Sequence, residues 1–144
     1  QGYNVFLTDQ MMPYDIVADY KGKLIKIQVK TTRVLKNYAH SKNVYRYQLR
    51  RGVTGKKRIK IDDIHIFAFV ALDRMKIGYL PILDCQIEKG GATKQTLDIK
   101  TRDAPHISSR VYSTGRKRGQ NTNGLYIEDI SSFEKAVESI MDDL

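Results

Sequence analysis

Three polar side chains near the start of the chain have the types and spacing that metal-assisted hydrolysis of a phosphodiester requires: Asp15, Gln28 and Lys30. Mg²⁺ prefers hard oxygen ligands and usually keeps several waters. The Asp15 carboxylate, the Gln28 side-chain carbonyl and the Val29 backbone carbonyl could therefore hold one ion at an open site. Lys30 would then lie beside the attacking water, where an ammonium can orient that water, help lower its pKa and offset charge on the phosphate.

A β-hairpin is expected to bring these residues together. Two runs rich in Ile, Val and Tyr flank Lys21-Gly22, and glycine in the second loop position can adopt the positive φ of a tight turn. With that turn, Asp15 lies opposite Gln28, and Lys30 is its diagonal neighbour within about 8 Å. The other face is apolar and consists of Ile16, Ala18, Ile25, Ile27 and Val29. Taken alone, these residues equally fit an ordinary surface hairpin with a cross-strand polar pair and a solvated lysine.

Pro13-Tyr14-Asp15 followed by Gln28-Val29-Lys30 resembles the motif of the PD-(D/E)XK nucleases, in which an acidic residue opens one strand and acidic-x-Lys follows on the next. The Gln-x-Lys form is similar to the branch that includes homing endonucleases encoded in bacterial and cyanobacterial group I introns. The similarity continues through residues 45–50, 63–68 and 78–82, so it covers roughly residues 1–130.

The resemblance implies an α/β fold of the restriction-endonuclease type, with a mixed central sheet flanked by helices. It also implies Mg²⁺ as cofactor, double-stranded DNA as partner, Asp15 and Gln28 as metal ligands, and Lys30 as the catalytic lysine. The family's core usually begins with a helix that often carries a glutamate near the metal, whereas this chain enters a strand at Tyr3. The resemblance therefore implies that this helix is missing from the chain as given. Because Gln28 is a neutral ligand, the number of bound ions stays open.

Composition predicts one basic domain with a polyanionic partner. A chain of 144 residues fits a single nuclease domain, with its core in residues 1–83 and DNA-contacting and oligomerisation additions in residues 84–144. The net charge is +9, and residues 1–127 hold 24 Lys and Arg against 10 Asp and Glu, which favours nucleic acid. The single Cys85 fits a reducing, cytoplasmic environment. No apolar stretch approaches the ~18 residues of a membrane span, so no membrane partner is expected.

One strand and two basic loops are the candidate DNA-binding segments. Residues 44–51 alternate, which would place long polar side chains on one face of a strand that could read bases in the major groove. The basic run at residues 56–60 and the Gly-rich run at residues 115–124 would contact phosphates. The candidate contacts are Arg46, Gln48, Arg50, Lys56, Lys57, Arg58, Arg116, Lys117 and Arg118. The alternatives are an edge strand made soluble by charge, a solvated turn and a flexible linker.

The rest of the chain predicts further strands and two helices. Residues 3–7 are expected as a first core strand, residues 33–43 as a loop, residues 64–72 as a central strand that pairs with residues 76–82, and residues 96–101 and 108–114 as further strands. Residues 83–91 are expected as a short helix.

Met11 and Met12 are expected to pack, and His65 is expected to lie in the core or at its edge. A terminal helix capped by Ser131, with Glu134 completing a capping box, carries an apolar stripe.

These observations favour a Mg²⁺-dependent, site-specific DNA endonuclease. The alternatives are a structure-selective nuclease, such as a Holliday-junction resolvase, and a DNA-binding module that has lost cleavage. Since one site attacks one strand at a time, we expect at least a two-fold dimer, or a dimer of dimers. The terminal helix and the aromatic pair Tyr45 and Tyr47 are the surfaces that subunits would share.

Overall fold

In the computed structural model, the described residues are 3–38, 41–51, 57–87, 91–104, 107–108 and 124–144. Nine strands are described: β1 (Asn4–Leu7), β2 (Ile16–Tyr20), β3 (Lys23–Thr32), β4 (Lys36–Tyr38), β5 (Ser41–Gln48), β6 (Ile66–Ala71), β7 (Lys76–Pro81), β8 (Thr96–Ile99) and β9 (Ile107–Ser108). The described helices are α1 (Phe133–Glu138) and three 3₁₀ turns at Ile82–Cys85, Ile127–Ile130 and Met141–Asp143. None of these described helices has the length and apolar character needed to cross a membrane.

Five strands form a mixed sheet in the order β1-β2-β3-β6-β7. All neighbours are antiparallel except β3 and β6, which run parallel and pair from Ile27↔Ile66 to Thr32↔Ala71. The predicted central strand and its return strand are both confirmed as β6 and β7. The expected mixed central sheet is therefore confirmed.

The predicted hairpin is confirmed with its register. Lys21 and Gly22 form the two-residue turn with φ values of 51° and 78°. Positive φ at both positions matches the twist of the flanking strands, and the Gly22 N–H donates to Asp19 Oδ1 at 3.0 Å. Tyr20 pairs with Lys23 and the ladder continues to Ile16↔Ile27. The turn therefore places the start of β2 beside the middle of β3.

The face of the five-stranded sheet that carries Gln28, Lys30, Phe67 and Phe69 is called here the site face. It packs against a second sheet, in the order β4-β5-β8, with β9 beside β5. The core between the two sheets consists of large buried side chains, which include Tyr45, Tyr47, Leu49, Ile64, Phe67, Phe69, Leu97, Ile99 and Ile127. Residues after position 84 thus contribute to the same core as the central strands.

The opposite face, called here the helix face, carries the predicted apolar stripe of the hairpin. Ala18, Ile25 and Ile27 are buried there, and they pack with Val137 and Ile140 from the C-terminal segment. The six-residue α1 is the single α-helix among the described residues, and a sheet covers the site face. The expected flanking by helices is therefore not confirmed.

The C-terminal helix exists, but its predicted cap is wrong by one residue. Ser132 is the N-cap, and its side chain accepts the Lys135 N–H at 3.2 Å. Glu134 therefore falls one position too early for a capping box, and it instead accepts hydrogen bonds from the Ser132 hydroxyl and, at 2.7 Å, from the Tyr3 hydroxyl. This contact ties the helix to the chain just before β1.

Several other local predictions are wrong. β1 is an edge strand, and Leu7 is 85 % exposed. Met11 and Met12 are exposed, because the loop that carries them lies outside both cores. Part of the expected loop at residues 33–43 is the strand β4 and the start of β5, since these segments pair with each other. In the described part of the expected helix at residues 83–91, the chain forms the 3₁₀ turn Ile82–Cys85 and Gln86 then pairs with Thr93, while residues 88–90 lie outside the described residues.

Both surfaces that we expected subunits to share lie against the chain's own core. Tyr45 and Tyr47 are 0 % and 1 % exposed, because β5 packs its aromatic face against β6. Val137 and Ile140 are likewise buried against the helix face. These side chains are therefore not an available interface, and that expectation is wrong.

Candidate active site

Asp15 lies where the hairpin ladder extends one residue beyond β2. Its backbone N–H donates to the Ile27 carbonyl at 2.9 Å, and its own carbonyl accepts the Thr8 N–H at 3.1 Å. The Thr8 hydroxyl also donates to the Tyr14 carbonyl at 2.5 Å. The backbone of Asp15 is thus held from both sides, and its side chain faces Gln28, as the turn register predicted.

The Asp15 carboxylate, the Gln28 amide and the Val29 backbone meet at one point. Asp15 Oδ2 accepts the Val29 N–H at 2.7 Å and a hydrogen bond from Gln28 Nε2. The same Gln28 nitrogen lies 3.4 Å from the Val29 carbonyl oxygen. Asp15 is exposed and Gln28 is half-buried, so solvent reaches this cluster. The structure therefore brings together all three predicted metal-binding groups.

Lys30 follows Gln28 on the site face, but it is not a solvated lysine. Its Nζ donates to the Arg50 backbone carbonyl at 2.9 Å, at the end of the β5 segment. Burial lowers the pKa of the Lys30 ammonium, and the Asp15 carboxylate partly opposes that shift. An ammonium has three donors, so the bond to Arg50 leaves two N–H groups for a substrate or water.

This donor set fits one hard divalent cation. A carboxylate, an amide carbonyl and a backbone carbonyl are the oxygen ligands that Mg²⁺ and Ca²⁺ prefer. Within the described ranges, no three His, Cys, Asp or Glu side chains cluster closely enough to hold a metal. The cation would therefore be held by a single described carboxylate, that of Asp15, with neutral oxygens around it.

Arg46 forms an ion pair across the second sheet, in addition to having the alternating position that its strand pattern predicted. Its guanidinium makes two hydrogen bonds to the Asp98 carboxylate, at 2.6 and 2.7 Å, across the β5–β8 pair. It also stacks over the Tyr38 ring, with 3.5 Å from the guanidinium carbon to the ring centroid. These contacts use two of the five guanidinium donors, so the ion pair gives Arg46 a structural role while its role in base reading stays a prediction.

The other DNA-binding candidates divide into three groups. Gln48 is exposed on β5, and Arg50 is half-buried beside Lys30. Lys57 and Arg58 are exposed, and the Lys57 carbonyl accepts the Arg51 N–H at 2.7 Å. Lys56, Arg116, Lys117 and Arg118 lie outside the described residues.

The sequence interpretation missed Lys26 and its neighbours. Lys26 precedes Gln28 by two residues, so it shares the site face, and this spacing alone was a usable signal. Its Nζ lies 3.3 Å from the Asp62 carbonyl and 5.8 Å from the centre of the Tyr14 ring. His65 Nδ1 accepts the Lys26 backbone N–H at 3.1 Å. Burial, and then the Lys26 charge, lower the pKa of His65, so its ring is neutral at pH 7.

Comparison with known proteins identifies the family. The model of the PD-(D/E)XK endonuclease family matches residues 1–111, which is more than half of the chain. No curated protein is similar enough in sequence to count as a relative. Among solved structures, a bacterial homing endonuclease has a similar fold, with a TM-score of 0.53 and 14 % sequence identity over 99 % of this chain and 79 % of that one. With the motif residues Asp15, Gln28 and Lys30 grouped on one hairpin, the chain belongs to the PD-(D/E)XK endonuclease family.

Proposed function

We propose that this protein is a Mg²⁺-dependent, site-specific DNA endonuclease of the intron-homing type, which acts on double-stranded DNA in the cytoplasm. The observation that carries the proposal is the meeting of the Asp15 carboxylate, the Gln28 amide and the Val29 backbone beside Lys30. Family membership supports a DNA endonuclease. The fold of the homing endonuclease supports the finer assignment.

Each residue of the cluster has a separate role in this proposal. Asp15, the Gln28 side-chain carbonyl and the Val29 carbonyl would hold the cation, which when bound polarises the phosphate and lowers the pKa of a water. Lys30 orients the attacking water and offsets negative charge on the phosphate with the two donors that Arg50 does not use. The Arg50 carbonyl is a positioning group, since it fixes the Lys30 ammonium on the site face.

Uncompensated cations near this cluster would supply DNA affinity. Arg74, Lys76 and Arg102 form ion pairs with carboxylates of the C-terminal half. Lys26 and Lys30 have no carboxylate ion pair among the described residues, so their charges remain available for phosphates. The proposed contact set combines these lysines with the half-buried Arg46 and Arg50 and with exposed or undescribed residues: Gln48, Lys56, Lys57, Arg58, Arg116, Lys117 and Arg118.

Asp15 supplies the one carboxylate in the described part of the site, and this also supports a second candidate function. A site with one carboxylate and a neutral Gln28 binds a divalent cation more weakly than a site with two carboxylates. The same scaffold could then serve as a DNA-binding module without cleavage. Cleavage and binding must therefore be measured separately.

The test is incubation of the full-length chain with random-sequence duplex and with four-way junctions, in Mg²⁺ and in Ca²⁺. Cleavage of a subset of duplex sequences in Mg²⁺, with binding alone in Ca²⁺, is the expected result. Cutting confined to junctions would replace the homing assignment by a structure-selective nuclease. Binding without cutting in either metal would leave the non-catalytic module.

We propose further that the active form is at least a two-fold dimer. One chain carries one candidate site, so concerted cutting of both strands needs two sites related by symmetry. A domain with a radius of gyration of roughly 15 Å also spans little more than one turn of duplex. Sedimentation on a target duplex is the measurement, and a 1:1 complex that cuts both strands in one binding event would exclude the dimer.

A further inference from the structure

The Gln28 amide nitrogen lies between the two protein oxygens that would share a cation. It donates to Asp15 Oδ2 and lies 3.4 Å from the Val29 carbonyl oxygen. A carboxylate can only accept hydrogen bonds, so the nitrogen of the amide must face Asp15. The side-chain oxygen of Gln28 is therefore turned away from the group that it would join as a metal ligand.

We propose that the Gln28 amide takes the place of the cation in the metal-free protein, and that metal binding requires the amide to turn by half a rotation about its terminal bond. The proposal rests on the proposed function, because it takes the site to be a metal site. The positive end of the amide dipole satisfies Asp15 and the Val29 carbonyl while no cation is present. Turning the amide presents its oxygen and releases both acceptors to the metal.

The same contacts explain what a neutral residue achieves at this position. A glutamate in place of Gln28 would put a second carboxylate against Asp15, and the two like charges would repel when no cation separates them. The hydrogen bond from Gln28 to Asp15 instead holds the residue just before β2 against β3. The cost is that a cation must displace this bond, so wild-type affinity is lower than that of a two-carboxylate site.

The room for this rotation is present. Asp15 is exposed and Gln28 is only half-buried, so the amide can turn without displacing core side chains. The backbone N–H of Val29 continues to donate to Asp15 Oδ2 throughout, at 2.7 Å in the metal-free geometry. Asp15 therefore remains oriented while the amide changes partners.

Two variants of Gln28 and one matched control test the proposal in the full-length chain without DNA. Gln28→Glu adds a carboxylate, whereas Gln28→Met keeps a similar length and cannot donate. Gln95→Glu makes the same charge change at an exposed position near the second sheet. The measurements are ¹⁵N–¹H spectra of side-chain amides, calorimetric titration with Mg²⁺ and Ca²⁺, and thermal unfolding in EDTA.

In EDTA we expect the Gln28 amide protons to exchange slowly with solvent, and saturating Mg²⁺ to shift their signals and speed their exchange. Gln28→Glu should bind Mg²⁺ at least tenfold more tightly, and should unfold in EDTA roughly 2–5 °C below wild type. Gln28→Met should unfold lower in EDTA and lose metal affinity, while Gln95→Glu should match wild type in both.

Gln28 amide signals that do not change on saturation with Mg²⁺ would overturn the proposal. Equal midpoints of Gln28→Glu and Gln95→Glu in EDTA would overturn it as well. A chain that cuts DNA with an unmoved Gln28 amide would lose this inference and keep the proposed function. The reverse result, an amide that turns on Mg²⁺ binding in a chain that cuts no DNA, would keep the inference and remove the function.

Discussion

Replacing Asp15 by asparagine separates the chemistry of the site from its scaffold. Asparagine keeps the size of the side chain and one oxygen that can accept the Val29 N–H, so we expect a loss of only about 1 kcal/mol of folding free energy. It removes the single carboxylate of the described cluster, and no neighbour can replace that charge. Removing one preorganised electrostatic group costs about 10²–10³ in rate. We expect the upper end, about 10³, or about 4 kcal/mol of transition-state stabilisation.

Asp19→Asn is the matched control. Asp19 lies on β2, the strand that Asp15 directly precedes, and its carboxylate also accepts one backbone N–H, from Gly22 at the turn. Both variants change the net charge by the same amount, so any difference between them is not an effect of long-range charge. Single-turnover cleavage in Mg²⁺ and duplex binding in Ca²⁺ are the assays, and binding should stay within about tenfold in both variants because it rests on dispersed phosphate contacts. A cleavage rate of Asp15→Asn within tenfold of the wild-type rate would refute the site assignment. A cleavage rate of Asp19→Asn no higher than that of Asp15→Asn would refute it as well.

Three further predictions test the residues around the site. Arg46→Met should destabilise the fold by about 1 kcal/mol in urea unfolding, because it breaks the ion pair with Asp98. Gln48→Ala should leave stability unchanged and alter base preference in binding to base-substituted duplexes. The buried Tyr47 hydroxyl has no hydrogen-bond partner among the described residues, so Tyr47→Phe should leave stability unchanged or raise it by up to about 1 kcal/mol. Burial raises the pKa of Glu128, but hydrogen bonds, first that of Lys76, outweigh it and lower the pKa to about 2. The contribution of Glu128 to the free energy of unfolding should therefore be fully present above pH 4.5 and be lost as the pH falls toward 2. Glu128→Gln should reduce this dependence of stability on pH.

The hairpin and its three polar side chains could be predicted because their determinants are local. The turn at Lys21-Gly22 sets the register, and a strand's period of two then decides which side chains share a face. For the same reason the buried stripe of the hairpin and the apolar strand β6 were predictable. The Gln-x-Lys spacing indicated the family before any fold was known.

The contacts of the charged and aromatic side chains could not be predicted, because they depend on distant segments of the chain. The alternating position of Arg46 was predictable, but its ion pair with Asp98, which lies opposite it 52 residues later, was not. Tyr45 and Tyr47 have the same pattern as an exposed aromatic face, but β5 turns them into the core. Their partners lie far away in sequence, so no local pattern contains this information.

The same distinction applies within the site. That Asp15, Gln28 and Lys30 share one face could be read from the local sequence, since the hairpin turn fixes their spacing. Only the packing of the second sheet on the site face decided that the Lys30 ammonium is half-buried and bonded to the Arg50 carbonyl. The physical reason is that register follows from a turn of two residues, whereas burial and hydrogen-bond partners depend on which distant segments pack together.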